Sequence, residues 1–240
     1  EEVLGREFDV LNLRSGWDYF WKAFRRGAKN PIDWYRGLFR ITLGRLWPSL
    51  AILTAALAAA YFVGGRMAAE FRLPSELLQF DGLDRSAVAG LAQVGFLSGE
   101  GWLWVLSNNL RAMALASLLG SFSFGVLSII LLMAPVGIVG YFAGNMALAG
   151  HDAGRFLLAL VVPHALLEIP AAIVGGAAIL QLGLALISPP QGRSLGQNLL
   201  LGFAEWARLF SGLVVPLLAG AAALEVFVTP RIALLLLNGM

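Results

Sequence analysis

The chain has 240 residues, of which 58% are hydrophobic and 13% charged, with a mean hydropathy of +0.76. Soluble domains run near about 50% apolar and about 25% charged, so a water-soluble fold is excluded for want of polar surface, and disorder is excluded by the same figures. The absence of Cys removes disulfide, thiolate-zinc and cysteine-nucleophile chemistry; with 17 Lys+Arg against 15 Asp+Glu, where the charges sit carries more than their sum.

The expectation is an all-α, polytopic transmembrane bundle of about five spans behind an N-terminal amphipathic interfacial helix. Three regions are expected: an interfacial segment at 1–45, a transmembrane domain at 46–231, and a short apolar tail at 232–240.

In the first region Trp17, Phe20, Trp21 and Phe24 recur at i, i+3, i+4 and i+7, one face of a helix. Asp18, Lys22, Arg25 and Arg26 lie off that face. Two readings of Trp17, Trp21, Arg25 and Arg26 stand. One is contact with an anionic lipid interface, at about 1 kcal/mol per basic residue near the surface; the other is the general look of a juxtamembrane helix. Asn30-Pro31 then marks a helix start, with Asn as N-cap and Pro in the first turn. The stretch Ile32–Trp47 leads into the first span.

A spanning helix needs about 20 mostly apolar residues. The first uncharged run is Leu46–Gly65, between Arg45 and Arg66; it lies behind too much charge to read as a secretory signal. The second, Ala112–Ala149, has 38 uncharged residues, about 57 Å of helix and too long for one crossing. Proline disfavours helix in the residue before it, so the turn is expected at Ala134-Pro135, leaving a short span at Val136–Ala149.

The third run, Phe156–Ile187, holds His164, Glu168, Pro163 and Pro170; splitting it at the prolines gives a rival count of six crossings. The fourth is Leu209–Val228, kinked at Pro216 and stopped by Thr229-Pro230-Arg231. The apolar residues Ile232–Leu237 are too few to span and are expected to lie along the bilayer or dock on a partner.

Charge orients these spans. Between Arg14 and Arg45 there are eight basic residues against Asp18 and Asp33, whereas Arg66–Gly101 holds three basic and five acidic ones. By the positive-inside rule the N-terminus is expected in the cytoplasm; five crossings would put the C-terminus outside.

Ionisable side chains in hydrocarbon need partners, so function is sought there first. Asn108, Asn109 and Arg111 precede the second span, and Trp102 and Trp104 suit the interfacial belt. Either Asn109 caps that helix, with Arg111 snorkelling, or the two asparagine amides bond a neighbouring helix or a pore lining.

His164 and Glu168 are i, i+4 and meet on one helix face. Three readings remain open: a polar joint that satisfies backbone broken by Pro163 and Pro170, a conduction or transport site, and a partner contact. A metal site is not expected, since two ligands fall short of the three or four that zinc takes. Glu225, near Arg231, closes the set of ionisable candidates, with Asn145 and Gln181 as neutral interhelical donors and acceptors. Gly140 with Gly144, and Ala171 with Gly175, form small-xxx-small pairs suited to close helix packing. No glycine cluster suits a nucleotide, no cofactor is expected, and nucleic-acid binding is not expected because lipid accounts for the basic stretch.

Taken in order, Leu106-Ser107-Asn108-Asn109-Leu110-Arg111 and then Val161-Val162-Pro163-His164 through Glu168-Ile169-Pro170-Ala171 resemble the stage II sporulation protein M family of integral membrane proteins. The resemblance spans about Val105 to Leu186. The chain departs from the family pattern at Ala165, where Gly is usual, and at Ala134-Pro135, where Asn-Gly is usual. The resemblance implies a bacterial or archaeal membrane protein without enzymatic activity of its own. The sporulation member is a membrane scaffold for peptidoglycan-degrading enzymes.

The expected function is therefore a non-enzymatic membrane subunit that assembles as a homo- or hetero-oligomer with other membrane or envelope proteins. The competing expectation is a transport component, a channel-like oligomer or the permease subunit of an ATP-driven exporter. An intramembrane hydrolase is disfavoured, because no serine has a His–acid partner identifiable in the sequence. The expected location is the plasma membrane.

Overall fold

The computed structural model describes residues 13–26, 28–78, 85–187 and 195–237; the ends of the expected N-terminal and C-terminal segments, 1–12 and 238–240, lie outside them. Among the described residues there is no strand. Eight helices follow in order: α1 (Leu13–Arg25), α2 (Pro31–Arg45), α3 (Trp47–Glu70), α4 (Arg85–Gln93), α5 (Gly99–Phe122), α6 (Val126–Leu148), α7 (153–187) and α8 (195–237), with one 3-10 turn at Ser75–Leu78.

Four helical stretches are long and apolar enough to cross a membrane: Trp47–Glu70, Val126–Leu148, Ala153–Ala185 and Gly196–Leu237. The protein is thus a membrane-embedded helical bundle. The span expected from Ala112 to Ala134 is instead divided between the end of α5 and the start of α6; α5, 24 residues long, carries Glu100, Asn108, Asn109 and Arg111 and is not one of the four. The six-crossing alternative is not realised, since α7 runs through both of its prolines without a turn.

The turn expected at Ala134-Pro135 lies elsewhere. Pro135 sits inside α6, and the chain instead reverses at Ser123-Phe124-Gly125. Phe124 and Gly125 have φ of 53° and 94°, and the Gly125 N–H reaches back to the Gly120 carbonyl at 2.7 Å. That six-to-one bond is a Schellman ending, with Phe124 in the left-handed position that glycine usually takes. The Ala134-Pro135 expectation failed because a membrane helix tolerates proline when neighbours re-satisfy the freed backbone. Two other helix ends use glycine in the ordinary way: Gly95 and Gly150 take φ of 76° and 83°. Their followers Phe96 and His151 donate to the carbonyls of Leu91 and Met146, both at 2.9 Å. Asn30 caps α2 as its sequence implies, accepting from the Asp33 N–H at 2.8 Å.

The stop expected at Thr229-Pro230-Arg231 is also overturned, because α8 continues through it to Leu237. The device that permits this recurs three times. π-helical segments occupy Leu157–Val161, Phe210–Val214 and Leu224–Val228, and each ends two residues before a proline, Pro163, Pro216 and Pro230. Proline lacks an N–H and crowds the carbonyl four residues back. Widening the turn to the i→i+5 bond redirects the carbonyls, as when Val162, Val215 and Thr229 donate to Leu157, Phe210 and Leu224. The helix therefore absorbs the proline instead of ending.

The chain divides into two compact units, each with its own packing. The first comprises Glu1–Leu53, Ala114–Ile130 and Ala172–Val215. Its core joins Leu38 and Leu46 of α2 and the α2–α3 junction to Ala178 of α7 and Leu209 of α8, with Trp34, Leu50 and Trp206 against them. Here α1 docks through Phe20, whose ring lies 5.6 Å from that of Phe203 on α8. Gln181 donates to Ser49 Oγ at 3.2 Å, and Asn198 Nδ2 donates to the Ala185 carbonyl at 2.6 Å, tying α7 to α3 and to α8.

The second unit comprises Thr54–Met113, Leu131–Ala171 and Pro216–Met240. Within it α3 and α6 approach backbone to backbone. A Cβ on Gly64 would collide with the Gly137 carbonyl, one on Gly140 with that of Tyr61, and one on Gly144 would stand 2.5 Å from that of Gly65. Elsewhere in this unit Leu78, Met146 and Phe156 form one core cluster, and Val105, Ala222 and Val226 form another, joining α5 to α8. Residues 232–237 do not hang free: Ala233 and Leu237 are buried with Ala159 of α7.

Candidate functional site

Three ionisable residues of the second unit, His164, Glu168 and Glu225, lie in or just after the π-helical segments of α7 and α8. On α7 the π segment Leu157–Val161 precedes Pro163-His164. On α8 the segment Leu224–Val228 contains Glu225 and passes into Thr229. Residues Ala159 and Leu160 of the first meet Ala233 and Leu237 beyond the second.

The site is built from these local features. His164 and Glu168, one turn apart, place Nε2 and Oε2 3.9 Å from each other, an ion-pair separation wider than a hydrogen bond. His164 Nδ1 faces Thr229 Oγ1 at 3.5 Å. Thr229 is buried and donates to the Leu224 carbonyl at 3.1 Å, the same carbonyl that receives its backbone N–H. Thr229 thus closes the π turn and offers a hydroxyl oxygen to the imidazole. Glu225 stands close enough to Glu168 for their charges to interact, so the site holds two carboxylates, one imidazole and one hydroxyl.

The side chain of His164 is 18% exposed and that of Glu168 39%. Glu168 is flanked along the helix by the exposed Leu166 and Ile169, so the chain's own helices leave this carboxylate partly uncovered on an apolar surface. His164 thus has Thr229 on one ring nitrogen and Glu168 at ion-pair distance from the other. Among the described residues no set of three or more His, Cys, Asp or Glu is disposed to hold a metal ion.

The other sequence candidates lie apart from this group. α5 is capped at Ser98, whose Oγ accepts from the Glu100 N–H at 3.1 Å, so Asn109 is an interior helix residue and not the cap its position suggested. Asn108 and Arg111 are exposed, and Asn109 is half-buried with its Nδ2 enclosed and unpartnered among the described residues.

Asn145 is buried at 2% exposure. It accepts from the Leu73 N–H at 2.8 Å and donates to the Tyr141 carbonyl at 3.0 Å. Tyr141 in turn donates to the Phe71 carbonyl at 2.6 Å, so α6 satisfies the backbone that follows α3. Gly140 and Gly144 line the α3–α6 contact, and Ala171 and Gly175 are both buried on α7. Of the N-terminal set, Trp17 and Trp21 are exposed and Arg25 sits 5.9 Å from the Trp21 ring centroid. Arg26 pairs with Glu205.

Two groups escaped the sequence reading. Thr229 reads as the first residue of a stop signal, although its i+4 relation to Glu225 was the available hint. Arg208 and Glu205 precede the uncharged run at Leu209 and fell outside the span drawn there.

Residues 49–230 match the family model described as Stage II sporulation protein M, about three quarters of the chain. No curated protein and no solved structure matches it.

Proposed function

Because the chain belongs to the stage II sporulation protein M family, we propose that it is a non-enzymatic membrane subunit that assembles with other membrane or envelope proteins. The observation that carries this reading is Glu168, an acid 39% exposed between the outward-facing Leu166 and Ile169. A carboxylate facing hydrocarbon is costly, so such groups pair or face a protein neighbour; a neighbouring helix that supplies a donor gives this one its partner. The glycine-lined contact of α3 with α6 is used in internal packing, so those small residues are not the surface for assembly. The membrane is the plasma membrane of a bacterium or archaeon, with the N-terminus in the cytoplasm, the side that the basic residues before Arg45 favour.

Extraction in mild detergent followed by light-scattering mass measurement tests the proposal. The expected result is a particle heavier than one chain, reduced to a monomer by Glu168→Leu with helix content unchanged. A monomer of the wild-type chain without co-purifying protein would overturn it.

A second reading, a transport component, is favoured by one specific feature: ionisable residues placed in and beside π-helical turns, which are frequent at functional sites. On that reading His164→Ala and Glu168→Gln abolish flux in reconstituted vesicles while the particle mass stays as in the wild type.

A further inference from the structure

We propose that the cleft formed by the end of α1, α2 and α8 in the first unit binds a phosphate-bearing anion. The cleft encloses about 550 Å³ and is lined by Arg26, Lys29, Asp33, Gly37, Arg40 and Arg208. Four cations face one acid.

Arg208 is the centre of the site. It is 2% exposed, and two residues of α2 one turn apart hold its guanidinium. Trp34 offers its carbonyl to Nη2 at 2.7 Å and its ring at 5.3 Å from the guanidinium carbon. Gly37 makes the room, since a Cβ there would stand 2.7 Å from Nη2. Nε and Nη1 are enclosed and have no hydrogen-bond partner among the described residues.

The carboxylates nearby in sequence are committed elsewhere. Glu205, one turn before Arg208, pairs with Arg26 and with Arg45, the latter at 3.1 Å. Asp33 accepts from Asn30 Nδ2 at 2.9 Å and lies 3.8 Å from Arg36. Lys29 and Arg40 are exposed and make no ion pair among the described residues. A buried guanidinium with two unpaired donors is unfavourable unless an acceptor meets them. The planar fork of arginine matches phosphate oxygens in pairs, and the surrounding cations suit a multiply charged phosphate better than a single carboxylate.

The phosphate has two possible sources, a lipid headgroup and a soluble phosphate compound. A neighbouring cleft of about 660 Å³ shares Arg26 and is walled by Leu46, Leu184, Leu201 and Leu209. Trp206, also in its wall, keeps a buried Nε1 without a partner. This second cleft joins its leucine side chains to the polar groups of Arg45, Gln181, Asn198 and Glu205, a mixed lining that suits the glycerol and ester region of a phospholipid.

The test uses the full chain in detergent. Binding of phosphatidylglycerol and phosphatidylcholine is followed by native mass spectrometry, and binding of inorganic phosphate by calorimetry against chloride at equal ionic strength. Because Lys29 and Arg40 are exposed, the double variant Lys29→Gln, Arg40→Gln keeps the fold and removes two cations. Gly37→Leu fills the space beneath the guanidinium.

Loss of charge-assisted bonds predicts at least about tenfold weaker anion binding in each variant. Phosphatidylglycerol bound in preference to phosphatidylcholine, and weakened by both variants, supports the proposal with a lipid source. Inorganic phosphate bound and similarly weakened, without a preference between the lipids, supports it with a soluble source. Binding of both phosphates no stronger than of their controls, or unchanged in the variants, overturns it. The assembly reading does not enter this result, since particle mass is measured separately.

Discussion

At the scale of single residues, polar satisfaction decides which side chains are irreplaceable. Asn145 spends both ends of its amide on backbone, accepting from Leu73 and donating to Tyr141. Asn145→Leu removes the acceptor but leaves the Leu73 N–H in place, so a loss of about 1–3 kcal/mol is expected, read as a lower midpoint in denaturant unfolding in detergent. At Gly140 the controlling term is space, since the Tyr61 carbonyl occupies the position of any added Cβ. Gly140→Leu should cost about 1–3 kcal/mol or more by overpacking, whereas Gly44, which has nothing within 4 Å, should accept Ala with a change under about 0.5 kcal/mol. Spacing in the sequence made Gly140 and Gly144 legible as a packing pair and Asn145 as an interhelical group. Leu73 and Tyr61 were not legible as their counterparts, because nothing in a linear pattern ties a buried amide to a distant backbone group.

At the scale of elements, runs without charge were enough to place α3, α6, α7 and α8, since hydrocarbon leaves the backbone no partner but itself. The boundaries were harder. Hydropathy does not distinguish a proline that breaks a helix from one that a helix runs through, so Pro135, Pro163 and Pro230 drew expected breaks where helix continues. The true reversal at Phe124-Gly125 was hidden because Phe124 takes a left-handed conformation that side chains rarely adopt. A π turn is an α-helix carrying one residue too many. Deleting Leu213 together with Pro216→Ala should therefore restore regular helix at Phe210–Val214 and keep both flanking faces in register. Circular dichroism and particle mass are expected to match wild type. Deleting Leu199 from a plain helical turn would rotate everything on one side of it by about 100°, and loss of the folded particle is expected. Equal damage from the two deletions would show that the widened turn is not a register device.

At the scale of the whole molecule, the charge pattern makes a prediction about sidedness. The chain has no Cys, so a single introduced thiol reports without background. Lys29→Cys should resist a membrane-impermeant maleimide in intact cells and react after permeabilisation, while Glu76→Cys should react in both. The opposite result would reverse the assigned orientation. Composition alone established that lipid surrounds this protein, and the order of the Asn-Asn and Pro-His…Glu-x-Pro pieces placed it in its family. The approach of Thr229 to His164 was not legible, since it depends on a helix running on past an apparent stop. That continuation has a mechanical consequence. The 42 residues of Gly196–Leu237 are about twice the number that one crossing takes. The turns beyond Thr229 are held by packing, with Ala233 and Leu237 buried against Ala159 of α7, so this end is clamped to a neighbouring helix and not left to the lipid.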